Sequence, residues 1–131
     1  MSREIKFRVW QDYSQTGRSM SGGRMINWEN KDIKYLLESG TALFKNKQYV
    51  LQQFTGLKDR NGIDIYEGDI LTAEYHNIES QGKQRTTGVV EYFSQHATFT
   101  LNCKVWALNF SALSNLEIIG NIFETPEVLE K

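Results

Sequence analysis

The stretch TGLKDRNGIDIYEGDIL, Thr55 to Leu71, sets four acidic residues, three glycines and an Asn-Gly pair between two segments of strand character. Asn61-Gly62 is a two-residue hairpin signal, because a type I′ turn needs positive φ at both central positions, which Asn tolerates and Gly allows freely. Gln53 to Asp59 and Ile63 to Tyr66 are then the arms of the hairpin. Gly68-Asp69 supplies a second reversal, with the Asp able to bond its own backbone two residues on, before Ile70 and Leu71 re-enter the core. Two turns account for most of the unusual composition.

Two chemical readings compete with that geometric one. Asp59, Asn61 and Asp64 bring oxygen ligands together as calcium loops do. The match fails where it is most specific: Gly falls at the fourth position of the loop, the fifth is Ile63 and the twelfth is Ile70. No metal site is therefore expected. Asp64, Glu67 and Asp69 offer a pair of carboxylates for acid/base work, but no nucleophile with a base or phosphate-cradling loop accompanies them. The expected catalytic set is empty, and so is the cofactor set.

Outward from this stretch the chain reads as short strands. In REIKFRVW, Ile5, Phe7 and Val9 alternate with Lys6, Arg8 and Trp10, which predicts a half-buried strand whose second set faces outward. RMINW follows a Gly/Ser-rich loop as the second arm of a long-connection hairpin. Ile33, Leu36 and Leu37 stand at i, i+3 and i+4 with Gly40 as a stop, which predicts a short helix. QYVLQQF, DILTAEY, GVVEYF, TFTLNC and LEIIGNIF are each short strand candidates bounded by turn residues. The polar run His76 to Gly88 reads as a mobile hairpin tip. Thr125, Pro126 and Glu127 predict one C-terminal helical turn.

The fold expected is mainly β (α+β): one domain over 1–131. An N-terminal β-hairpin and short helix over 1–47 join a small SH3-like β-barrel over 48–131. With 131 residues, 40% hydrophobic and 24% charged, the chain can bury a core without disulfides. The single cysteine, Cys103, fits a reducing compartment, and no zinc-type ligand quartet occurs. No apolar run reaches the roughly 18 residues of a membrane span, so a cytoplasmic location is expected.

Four segments carry a family resemblance: KFRVW, QQFTGLKDRNGIDIYEGDIL, GVVEYF and LEIIGNIFETPEVLE, in that order. Together they resemble the YopX family of phage and prophage proteins. The resemblance implies a β-rich domain in a bacterial cytoplasm during phage growth or lysogeny, without an assigned reaction. Its motif residues, given a structural role first, fall here on Thr55, Gly56, Leu57, Asp59, Asn61, Gly62, Ile65, Tyr66, Gly68 and Asp69. Ile63 stands where the family pattern favours a polar residue.

The functional expectation is a non-enzymatic phage accessory protein acting through a protein partner or by self-association as a homo-oligomer. The alternative is a nucleic-acid-binding barrel that uses Lys6, Arg8 and Trp10 on the first strand with Lys83 and Arg85 on the polar loop. A formal net charge of −1 supplies no global field for that alternative, although residues 1–24 carry five basic against two acidic side chains. Trp106, Leu108 and Phe110 alternate along VWALNF and suit either a core or an interface.

Overall fold

A computed structural model describes residues 4–12, 22–27, 49–77, 79, 82–103 and 106–130. These residues are mainly β and fall in two compact units, Met1–Phe54 and Thr55–Lys131. The expected helix near Ile33 to Gly40 lies outside the described residues.

In the first unit, β1 (Phe7–Asp12) pairs antiparallel with β2 (Gly23–Ile26), as the hairpin reading expected, with Val9 opposite Ile26 and Trp10 opposite Met25. Its other side pairs with the first half of β3 (Tyr49–Lys58), from Phe7 opposite Gln53 to Gln11 opposite Tyr49. Lys6, Arg8 and Trp10, expected to point outward, are only 8%, 9% and 6% exposed, whereas Ile5 is 57% exposed. Alternation separates two faces without saying which is covered.

The buried cations of this unit are satisfied locally. Arg8 Nε donates to Gln52 Oε1 at 2.7 Å, and Gln52 is itself buried. Lys6 Nζ lies 4.6 Å from the centre of the Phe54 ring and 3.5 Å from Glu4 Oε1. The Trp10 indole passes so close to Gly23 that a Cβ there would lie 2.7 Å from Cζ2.

In the second unit the rest of β3 neighbours β4 (Asp64–Tyr66). A five-stranded antiparallel sheet follows, composed of β5 (Asp69–Asn77), β6 (Gly82–Phe93), β7 (Thr98–Asn102), β8 (Ala107–Asn109) and β9 (Leu113–Asn121). Its order is β8-β7-β6-β5-β9, a meander closed by the return of β9 beside β5. Register shifts between Ile70 and Leu71 and between Thr72 and Glu74 bulge the β5–β9 pair, and such bulges bend and twist a sheet into a curl. The result is a half-barrel. Ile65, Leu71, Ala73, Val90, Leu101 and Cys103 fill it, with Phe99, Leu108, Phe110, Leu113, Leu116 and Ile118 packed around them.

The polar run read as a hairpin tip is largely strand. Pairing continues to His76 opposite Lys83 and Asn77 opposite Gly82. No apolar alternation marks this part; cross-strand polar pairs hold it instead, with Arg85 Nη1 3.2 Å from Glu74 Oε1 and Tyr75 Oη donating to Gln84 Oε1 at 3.1 Å. Pro126–Glu130 forms the expected C-terminal turn as a 3-10 segment. Thr125 Oγ1 accepts from the Asn121 N–H at 3.0 Å and so ties the segment back to β9. The Asn121 Oδ1 accepts from Phe123 and Glu124 N–H at 3.0 and 2.8 Å.

Candidate functional site

The stretch Thr55 to Leu71 is a pair of turns welded to β9. Asp59 N–H donates to Ile63 O at 2.8 Å and Gly62 N–H to Asp59 O at 2.9 Å, closing a three-residue loop, Arg60 to Gly62. Gly62 has φ of 82°, whereas Asn61 is not among the residues with positive φ, so the turn is not the type I′ expected. One left-handed glycine after a tight turn is the three-residue solution to the same reversal.

Asp59 organises that loop. It is 5% exposed, and its Oδ1 accepts from Asn61 N–H at 2.9 Å and Ile63 N–H at 3.0 Å. Its Oδ2 accepts from Ile118 N–H on β9 at 3.2 Å. Burial raises the carboxyl pKa, but the N–H donors of Ile63, Ile118 and Asn61, with the Asn61 side chain, outweigh it and hold Asp59 below its ordinary value of 3.8. Arg60 reinforces the join through its N–H to Leu116 O at 2.8 Å and its guanidinium to Glu117 Oε2 at 2.9 Å.

Other motif residues also bond within the turns. Thr55 Oγ1 donates to Ile65 O at 2.8 Å and accepts from Leu57 N–H at 3.1 Å, bracketing Gly56, whose φ is 90°. Gly68, with φ of 86°, donates its N–H to Val90 O and accepts from Ile122 N–H, both at 2.9 Å. Asp69 reaches backward rather than forward: the buried Oδ2 accepts from Tyr66 N–H at 2.8 Å. Ile65 and Tyr66 are buried, and Leu57 is partly exposed.

These placements bear on the acid/base and metal readings. Asp69 Oδ2 holds the Tyr66 N–H, and Asp64 Oδ1 lies 3.1 Å from Lys58 Nζ. Asp64, Glu67 and Asp69 are all absent from the lining of the cleft described below. Among the described residues, no group of three or more His, Cys, Asp or Glu is placed to hold a metal ion. Of the basic set, Lys83 and Arg85 are exposed on β6 while Lys6 and Arg8 are buried in the first unit. Trp106 is exposed and meets Tyr75 edge to face at 6.2 Å between ring centres, whereas Leu108 and Phe110 pack on the core.

A cleft of about 590 Å³ opens in the second unit. β3 contributes Thr55 and Leu57 to it, β6 Phe93, and the following turn His96, which stacks on Phe93 at 5.1 Å. β7 adds Thr98, Phe99 and Thr100. Ala107 and Asn109 of β8 and Phe110 and Ser111 of the 3-10 turn complete it. The lining contains no Lys, Arg, Asp or Glu, in a chain of which 24% is charged. Sequence reasoning missed the cleft, although Phe110 had been marked as core or interface; the available signal was ALNFSAL, a weak strand without charge or proline.

A family model described as YopX protein matches residues 6–130. The chain belongs to the YopX family. A crystal structure of protein EF1440 from Enterococcus faecalis is similar to this YopX chain in fold, with a TM-score of 0.53 and 24% identity, over 98% of this chain and 99% of that one. No curated protein matches the chain. Among the described residues, no helix is long and apolar enough to cross a membrane.

Proposed function

We propose that this YopX protein is a non-enzymatic phage or prophage accessory protein that works in the bacterial cytoplasm by binding a protein, either a partner or another copy of itself. The cleft beside β8, which holds no Lys, Arg, Asp or Glu, carries the reading, because aromatic side chains interleaved with hydroxyl and amide groups suit a polypeptide surface. The same reading takes the curled five-stranded sheet as a small SH3-like barrel, supported by its antiparallel meander and bulged β5–β9 pair.

The nucleic-acid alternative loses support from the first strand, since Lys6, Arg8 and Trp10 are buried. It retains Lys83 and Arg85, and Arg85 already faces Glu74. A tagged pull-down from host cells, with and without nuclease, tests both when wild type is compared with Thr98→Glu. A protein that survives nuclease and is lost on placing a carboxylate in the cleft is the expected result. Capture that depends on nucleic acid, or that ignores Thr98→Glu, counts against it.

A further inference from the structure

The five-stranded sheet has two ends, and they are treated differently. At β9, the outer side is occupied by the turn at Asp59 and Arg60: Arg60 N–H donates to Leu116 O, and Ile118 N–H donates to Asp59 Oδ2. At the other end β8 is the last strand in the order, and among the described residues no strand pairs with its outer side. β8 also lacks the lysine or proline that commonly blunts a sheet edge.

The register fixes which backbone groups that edge presents. Cys103 N–H donates to Trp106 O at 2.8 Å, so 103/106 is a hydrogen-bonded pair. Antiparallel ladders alternate bonded and non-bonded pairs. Asn102 opposite Ala107 is then non-bonded, Leu101 opposite Leu108 bonded, and Thr100 opposite Asn109 non-bonded. The N–H and C=O of Ala107 and the N–H of Asn109 therefore point away from β7, while the Asn109 C=O accepts the first bond of the 3-10 turn that follows. These same two residues of β8 line the cleft, and Leu108 does not.

We infer that the cleft takes an extended, uncharged peptide segment of a partner protein, which adds to the sheet as a strand along β8. The inference rests on the binding role proposed above and names its mode. The outward N–H groups of Ala107 and Asn109 and the outward C=O of Ala107 are what an incoming strand bonds to, the Asn109 C=O being taken by the 3-10 turn it caps, while side-chain pockets alternate along the strand. Phe93, Phe99 and Phe110 offer apolar surface, and Thr98, Thr100 and Ser111 offer hydroxyls. The lining holds no Asp or Glu, which selects against segments whose inward positions carry Lys or Arg, since no carboxylate there would pair them.

Asn109 provides a clean test. Its φ is −72°, which proline adopts without strain, and its N–H points outward, so Asn109→Pro removes one donor from the edge without removing a β7–β8 bond. The probe is a panel of N-acetylated, amidated octapeptides alternating Val, Leu or Phe with Thr or Ser. Each is compared with a version carrying Lys or Arg at the apolar positions, by fluorescence polarisation and amide hydrogen exchange on the full chain.

Binding by neutral peptides, protection of the Ala107 and Asn109 amides, a loss of about tenfold in Asn109→Pro and near-unchanged affinity in Asn109→Ala are expected. N-methylation at alternate peptide positions needs no protein variant: one set should abolish binding and the other, on the far edge of the strand, should be tolerated. Binding indifferent to both N-methyl sets overturns strand addition while leaving the cleft as a binding site. No binding by any peptide, together with cleft-dependent capture of a protein by wild type, overturns strand addition alone. If capture also ignores Thr98→Glu, the wider binding role falls with it. Concentration-dependent dimers that protect the same two amides without peptide would assign β8 to a second copy, against the inference.

Discussion

Asp59 Oδ2 accepts the N–H of Ile118 at 3.2 Å, joining a turn to a strand 59 positions along the chain. With Asn61 and Ile63 on the other oxygen, one buried carboxylate satisfies three backbone donors. Asp59→Ala should therefore cost about 2–4 kcal/mol of unfolding free energy, because it strands these N–H groups as well as removing their bonds. Asn should lose less than Ala, since its amide oxygen still accepts. Urea unfolding of the two variants checks the order.

The same carboxylate makes stability depend on acid. Its folded pKa is depressed, so its contribution is complete above its unfolded value near 3.8 and is lost as pH falls through the lower folded value. Wild type should lose stability over that window more steeply than Asp59→Asn, in which the group does not titrate. Equilibrium unfolding at a series of pH values below 5 measures the difference.

Two glycines should respond differently to alanine. At Gly62 there is open space for a Cβ, so the cost of Gly62→Ala comes from φ of 82° alone, about 1 kcal/mol, and Asn should partly relieve it. At Gly88 a Cβ would meet Asn102 O at 2.8 Å and Leu101 Cγ at 2.9 Å, inside the sheet. Gly88→Ala should cost more, about 1–3 kcal/mol, as overpacking does. Thermal unfolding of both variants checks the ranking.

Arg8 and Arg85 separate a buried from a surface cation. Arg8→Ala leaves buried Gln52 Oε1 without its 2.7 Å donor and should lower the thermal midpoint clearly. Arg85→Ala breaks an exposed pair with Glu74 and should leave the thermal midpoint nearly unchanged. Calorimetry on the two variants distinguishes them. Comparable losses would mean that the ribbon of β5 and β6 depends on its polar pairs.

These residues also show what was legible in the sequence. Strand positions followed from alternation and turn chemistry: FRVW, DILTAEY and LEIIG all lie in strands near the expected bounds. Burial did not follow, because alternation at Lys6, Arg8 and Trp10 marks a face without saying what covers it, and partners such as Gln52 and Phe54 come from a distant segment. The turn at Asn61-Gly62 was visible, but its type depended on closure by Asp59, whose third partner lies on β9. The cleft was least visible. It gathers residues from β3, β6, β7 and β8, none distinguished by reactive chemistry.

The unequal ends of the five-stranded sheet limit its assembly. With the β9 side taken by the turn at Asp59 and Arg60, β8 is the one side of the sheet left without a paired strand among the described residues. Two copies meeting through β8 would each use up the one bare end, and growth would stop at a pair rather than run on into a fibre. Arg60 and Asp59 thus cover an edge as well as form a corner, and loosening them would open a second edge of the sheet to strand pairing.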